Sequence, residues 1–182
     1  MSQTTSRIAI PAVESATGAT AELYAQIKKA NGKLPNLYAT LGHLTPASLS
    51  AYLAAEAALA RASLPRQDVE TIKVLVSELS GCDYCLAAHM MLGKMAGLDA
   101  DTLRNIRAGE PTGDARRDAL VRFVRVIQQT SGTLPAAEVE AIRAAGYTDA
   151  QLADIAFAYA LITYTNTFNR INDTEIDFPP VK

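Results

Sequence analysis

The residues best equipped for chemistry are crowded into one short run, Gly81-Cys82-Asp83-Tyr84-Cys85-Leu86-Ala87-Ala88-His89. The two cysteines stand three apart and His89 lies four beyond Cys85. On a helix that spacing brings all three side chains to one face. A bridge between them would close a loop too short to add much stability, but it can cycle. A thiol in the first turn of a helix feels unpaired backbone N–H groups and the positive end of the helix dipole, and both favour the thiolate. Lowering a cysteine pKa from about 8.5 to about 7 raises its thiolate fraction at neutral pH from roughly 3% to about half. Helix geometry tucks Cys82 toward the preceding chain, which makes Cys85 the candidate for attack and Cys82 the partner that forms the disulfide. His89 can relay a proton to or from Cys85 once an acid fixes its tautomer. Glu70 and Glu78 are the nearest acids in sequence, about 80° apart around an ideal helix.

Other readings of the same residues stand beside this one. Two thiols and a histidine make three zinc ligands, whereas a structural zinc takes four and gathers them from separate segments. His43 is the only other histidine, so no metal is expected. A c-type haem needs histidine directly after the second cysteine, where Leu86 stands, and a thioredoxin-like reading needs a βαβ setting that is absent. Two buried, inert cysteines acting as small hydrophobes remain an open alternative.

The elements that must position this run read as helices throughout. Alanine, leucine and charged residues recur at helical spacing, and no alternating β-branched and aromatic run competes with them. After an irregular opening, helices are expected over 19–30, from 34–36 onward, and over 46–61, where Thr45 can cap and Pro46 can take the first helical position. Further helices are expected over 66–79, 82–95, 99–107, 114–130, 135–145 and 148–170. Gly81 interrupts the pattern just before the cysteines, and Gly97 is placed to end the helix that carries them. The tail from Ile176 to Pro180 should be extended. The expected fold is an all-α, compact multi-helix bundle with the cysteine pair near the N-terminus of a central helix. It forms one domain over 1–182, with 1–62 as an N-terminal helical portion packed on a motif-bearing core, 63–182.

Charge and hydropathy narrow the partners. The chain carries 17 basic and 19 acidic residues, with no run of like charge to track nucleic acid or an anionic membrane. The opening residues lack the apolar core of a signal peptide, and no later stretch is long and apolar enough to span a bilayer. A cytoplasmic, soluble protein with no nucleic-acid and no membrane partner is the expectation.

Glu70, the cysteine pair and His89 together form an E-x11-C-x2-C-x3-H spacing that resembles the alkylhydroperoxidase-D-like, peroxidase-related branch of the carboxymuconolactone decarboxylase superfamily. The similarity extends to Leu34-Pro35-Asn36-Leu37-Tyr38 and on to Leu59, to Ala96-Gly97-Leu98, and to the ending Glu175-Ile176-Asp177-Phe178-Pro179. The resemblance implies that Cys85 attacks a hydroperoxide and becomes a sulfenic acid. Cys82 then resolves it as a Cys82–Cys85 disulfide, while Glu70 and His89 relay protons, with Glu78 as substitute acid. It also implies an external dithiol reductant, no cofactor, and a homo-oligomer, trimer or hexamer.

Tyr84 stands between the cysteines where some relatives carry histidine, and it reads either as a site residue or as a packing and hydrogen-bonding one. His43 aligns loosely with a family histidine and is a candidate for the pocket mouth. Asn166, Asn169 and Asn172 can hydrogen-bond near the site, although asparagines toward a helix end more often cap or solvate it. The family's decarboxylase members are not built on this cysteine pair, so its presence points to redox work. A decarboxylase or other lyase, and a non-catalytic redox sensor, are the competing functions.

Overall fold

A computed structural model describes residues 6–181; residues 1–5 of the irregular opening, and residue 182, lie outside the described residues. Among the described residues, a 3-10 turn at Val13–Ser15 precedes nine helices: α1 (Gly18–Asn31), α2 (Asn36–Leu44), α3 (Pro46–Leu59), α4 (Arg66–Leu79), α5 (Asp83–Met95), α6 (Ala100–Ala108), α7 (Ala115–Gln129), α8 (Ala136–Ala144) and α9 (Asp149–Asn172). No strand occurs among the described residues. Every expected helix is present, with ends shifted by a residue or two, the ordinary uncertainty of fraying termini.

Helix α4 is the axis of the assembly. Residues 68–77 are all buried, and the helix packs against α5, α6, α7 and α9. A helix enclosed on every side would ordinarily be apolar all round. Here Asp68, Glu70, Lys73 and Ser77 are buried too, and each reaches a different part of the fold. Asp68 meets Arg116 at 2.6 Å and the Tyr147 hydroxyl at 3.0 Å, Glu70 meets His89 on α5, Lys73 meets Glu56 on α3, and Ser77 meets Asn166 on α9. Because an unpaired buried polar group costs about 1–3 kcal/mol, these bonds penalise alternative packings of the same apolar surfaces. Around them, Leu41, Leu49, Ile72, Leu75, Leu120 and Ile162 form part of one continuous core drawn from α2 to α9.

The turn from α4 into α5 sets the first cysteine. Gly81 takes φ +63°, its N–H donates to the Glu78 carbonyl at 3.0 Å, and the Cys82 N–H donates to the Ser77 carbonyl at 3.0 Å. These two bonds are the Schellman closure of a helix, which calls for a left-handed residue at the glycine position. Cys82 is therefore both the third residue past α4 and the N-cap of α5. The same closure ends α5, where Gly97 at φ +94° lets the Leu98 N–H reach the Gly93 carbonyl at 3.0 Å.

Two local expectations change. Thr45 makes no side-chain cap to α3, and its hydroxyl instead donates to Ser48 Oγ at 2.7 Å. Ser63, where Ser63-Leu64-Pro65 repeats the cap-and-proline signal less regularly, likewise makes no side-chain cap to α4 and bonds Asp154 on α9 through its hydroxyl at 2.6 Å. The tail beyond Asn172 has neither helix nor strand and is held by side chains. Asp177 accepts from the Tyr84 hydroxyl at 2.8 Å and pairs with Lys33 at 3.0 Å, while Phe178 sets its ring edge-on to Tyr84 at 5.3 Å. The Asn36 side chain donates to the Glu175 carbonyl at 2.9 Å. The Pro35-Asn36 segment and the Glu175-to-Phe178 ending, distant in sequence, thus meet over Tyr84.

Candidate active site

Cys82, Cys85 and His89 lie along one face of the first two turns of α5, and Glu70 reaches them from α4. All four are buried, and both cysteines are free thiols. Glu70 Oε2 is 2.8 Å from His89 Nδ1. Against an ionised carboxylate the proton sits on Nδ1, which leaves Nε2 as the nitrogen able to accept one. Burial pushes the Glu70 carboxyl upward. The hydrogen-bonded His89 and the nearby Lys73 and Arg66 outweigh it and hold Glu70 below its ordinary range.

The two sulfurs share a hydrogen bond, and its polarity distinguishes them. Cys82 is held below the usual thiol range, first by the bond donated from the Cys85 thiol and further by the Cys85 backbone N–H at the helix N-terminus. Cys85 is pushed up, first because its S–H is engaged by Cys82, then by burial and by the Cys82 charge. The two thiols are thus pulled in opposite directions, Cys82 down and Cys85 up. Two groups on α9 lean the other way: Asn169 donates its Nδ2 to Cys85 Sγ at 3.1 Å, and Thr165 offers its hydroxyl.

The pair is approached on the Cys82 side. A groove of about 290 Å³ is lined by Cys82, Tyr84, Asn169, Arg170, Thr174 and Ile176 among others, and Cys85 does not reach its wall. Cys82, buried and tied through its N–H to Ser77 of the preceding helix, is one of the residues that line this groove. A second pocket, about 160 Å³, opens beside Glu70 and Lys73 and is also lined by Glu56, Arg66 and Leu64.

The remaining candidates divide between the site and other parts of the fold. Glu78 does not join the thiols, because Arg107 on α6 binds it at 2.6 Å near the far end of α4. His43 is exposed and lines a separate groove with Pro11, Val13 and Tyr24. Tyr84 is buried and lines the same groove as Cys82; its hydroxyl accepts from the Leu37 N–H at 3.1 Å and donates to Asp177. Of the three asparagines, Asn169 meets Cys85, Asn166 meets Ser77, and Asn172 accepts from the Ile8 N–H at 2.9 Å. Among the described residues no cluster of three or more His, Cys, Asp or Glu side chains is placed to hold a metal ion, and no helix is long and apolar enough to cross a membrane.

The sequence reading missed a polar chain behind the site. Lys73 is buried and grips both oxygens of Glu56 at 2.6 and 2.8 Å. Glu56 accepts the Tyr52 hydroxyl at 2.7 Å, and the Tyr52 and Tyr38 rings are 6.2 Å apart. Burial raises both tyrosine hydroxyls, and the neighbouring Glu56 and Cys85 charges raise them further. One signal was available: Lys73 falls within a segment whose neighbours Ile72, Val74, Leu75 and Val76 are apolar, and a charge so embedded needs a partner.

Comparison with known proteins follows this geometry. Residues 46–125 match the carboxymuconolactone decarboxylase family model, a span that takes in Glu56, Glu70, Lys73, both cysteines and His89. No curated protein sequence matches the chain. Among solved structures, the fold is similar to a peroxidase-related protein with an alkylhydroperoxidase AhpD core from Ralstonia eutropha JMP134, at TM-score 0.80 and 23% identity over 97% of this chain and 93% of that one. It is equally similar to a peroxidase-related protein from Silicibacter sp. TM1040, at TM-score 0.80 and 21% identity over 97% and 92%. The debrominase Bmp8 shares the fold at TM-score 0.70 and 14% identity over 87% and 86%, so one fold serves more than one chemistry. The chain is thus similar to the carboxymuconolactone decarboxylase family over residues 46–125, and its fold resembles that of the peroxidase-related proteins with an AhpD core.

Proposed function

We propose that the protein is a thiol-dependent peroxidase that reduces hydroperoxides through Cys85 and Cys82. The observation that carries the reading is the buried Glu70–His89 bond of 2.8 Å set one helical turn from a pair of free thiols. Inert cysteines need no acid–base pair beside them. In the reduced pair the shared proton sits on Cys85, and His89, oriented by Glu70, accepts it through Nε2 as the peroxide enters. The Cys85 thiolate attacks the peroxide oxygen, the O–O bond breaks, and the departing alkoxide takes the proton from His89 as the alcohol. Cys85 is then a sulfenic acid. The Cys82 thiolate attacks that sulfur and forms the disulfide, and the departing hydroxide becomes water with a proton from solvent, which His89 can pass on. An external dithiol supplies the two electrons that reopen the bridge.

Resemblance in fold to peroxidase-related proteins supports this reading, while the debrominase shows that the fold alone does not select the reaction. The test is peroxide consumption with dithiothreitol as donor, coupled to a count of free thiols before and after one equivalent of peroxide. Both thiols should be lost together. Cys85→Ser should abolish turnover, and Cys82→Ser should oxidise once and leave a sulfenic acid that dimedone captures. Full turnover by Cys85→Ser, or thiols untouched by peroxide, would refute the proposal and favour a lyase or a redox sensor.

A further inference from the structure

We infer that the external thiol enters the cycle at Cys82, through the groove between the α4–α5 turn and the C-terminal end of α9, and that Cys85 is the sulfur it displaces. The inference rests on the redox reading for the existence of the disulfide, but it concerns the reductive half-reaction alone.

Access sets the direction. The groove of about 290 Å³ has Cys82 in its wall, with Arg170, Thr174 and Ile176 opposite, and Cys85 stands behind Cys82. On the inner side Cys85 is enclosed by Thr165 and Asn169 of α9 and lies close enough to Tyr38 and Tyr52 to act on their hydroxyls. A disulfide is opened by a thiolate arriving in line with the S–S bond. Of the two sulfurs, both 3% exposed, Cys82 lines this groove and Cys85 does not. At 3% exposure Cys82 is also recessed, so the incoming thiol must project into the groove rather than meet a flat surface.

The chemistry of departure agrees with this order. The reductant's thiolate sulfur bonds to Cys82 Sγ, the Cys82–Cys85 bond breaks, and its electron pair leaves on Cys85. Asn169 Nδ2, 3.1 Å from that sulfur, donates to the departing thiolate, which then takes a proton from the His89 relay. In the reduced protein Cys85 is the poorer thiolate chiefly because of Cys82, which holds its proton and repels its charge. A Cys82 bound in a mixed disulfide does neither. In the second step the reductant's other thiol attacks its own sulfur, and Cys82 leaves as the thiolate that the α5 N-terminus stabilises. Two electrons pass from the dithiol, which ends as a disulfide.

The experiment uses the wild-type protein with its disulfide formed by diamide, so that a failure of peroxide turnover leaves it unaffected. A brief pulse of the monothiol 2-mercaptoethanol is quenched with acid, free thiols are capped with N-ethylmaleimide, and the peptide spanning 81–94 is sequenced by fragmentation. The expected result is the mercaptoethanol adduct on Cys82 and the maleimide on Cys85, in at least about tenfold excess over the reverse at the earliest times. An adduct mainly on Cys85, or divided equally, would overturn the inference, as would failure of diamide to bridge the pair.

Discussion

Asn169, near the C-terminal end of α9, donates its side-chain amide to the sulfur of Cys85 at 3.1 Å across 84 residues of sequence. It is a neutral donor aimed at an enclosed sulfur whose largest influences, the Cys82 thiol and burial, oppose ionisation, and only Thr165 acts with it among the main ones. A hydrogen bond to a charged group contributes about 1.5–3 kcal/mol, and 1.4 kcal/mol is a factor of ten. Asn169→Ala should therefore slow oxidation of Cys85 by about ten- to a hundredfold, measured by stopped-flow consumption of peroxide at fixed pH. A rate within twofold of wild type would remove Asn169 from the mechanism.

The Glu70–His89 bond predicts an acid-side loss of stability with a definite sign. Glu70 titrates below its ordinary value of 4.5 in the folded protein, so its contribution is complete above that value and fades as pH falls through the lower folded value. Glu70→Gln cannot ionise. The gap in stability between wild type and variant, read from urea unfolding at pH 7, 5 and 3, should be constant at the upper two and shrink at the lowest. A gap that widens on acidification contradicts the assignment.

Lys73 and Glu56 hold each other behind the site at 2.6 Å, with the lysine side chain 5% exposed and the glutamate 24%. Removing one partner leaves the other partly buried and unpaired, at a cost of about 1–3 kcal/mol. Lys73→Met and Glu56→Gln should each destabilise by that order, and the double variant by less than their sum, a coupling that a double-mutant cycle in urea measures. Strict additivity would mean that the pair is not coupled.

Tyr84→Phe tests whether the residue between the cysteines acts in chemistry or in structure. Its hydroxyl joins the Leu37 N–H to Asp177, so its loss should cost about 1–3 kcal/mol and raise amide exchange over residues 174–178. The rate of thiol oxidation should stay within about twofold of wild type. A large loss of rate with unchanged exchange would assign Tyr84 to the chemistry.

These tests separate two kinds of information in the chain. Helix periodicity, the glycines at 81 and 97, and the shared face of Cys82, Cys85 and His89 depend on interactions spanning a few residues, so the sequence by itself determined them. Glu70 and Glu78 have similar local sequence credentials on one helix. Where α5 and α6 cross α4 decided between them, sending Glu70 to His89 and Glu78 to Arg107. Asn169 looked like an end-of-helix capping residue until α9 was laid beside α5, and Lys73 had no visible partner until α3 brought Glu56 to it. Which sulfur faces the groove followed from the α4–α5 turn and from the tail that Tyr84 and Asp177 hold over it. Only the tertiary structure could decide these relationships, because they depend on how surfaces distant in sequence pack, and local propensity carries no record of that.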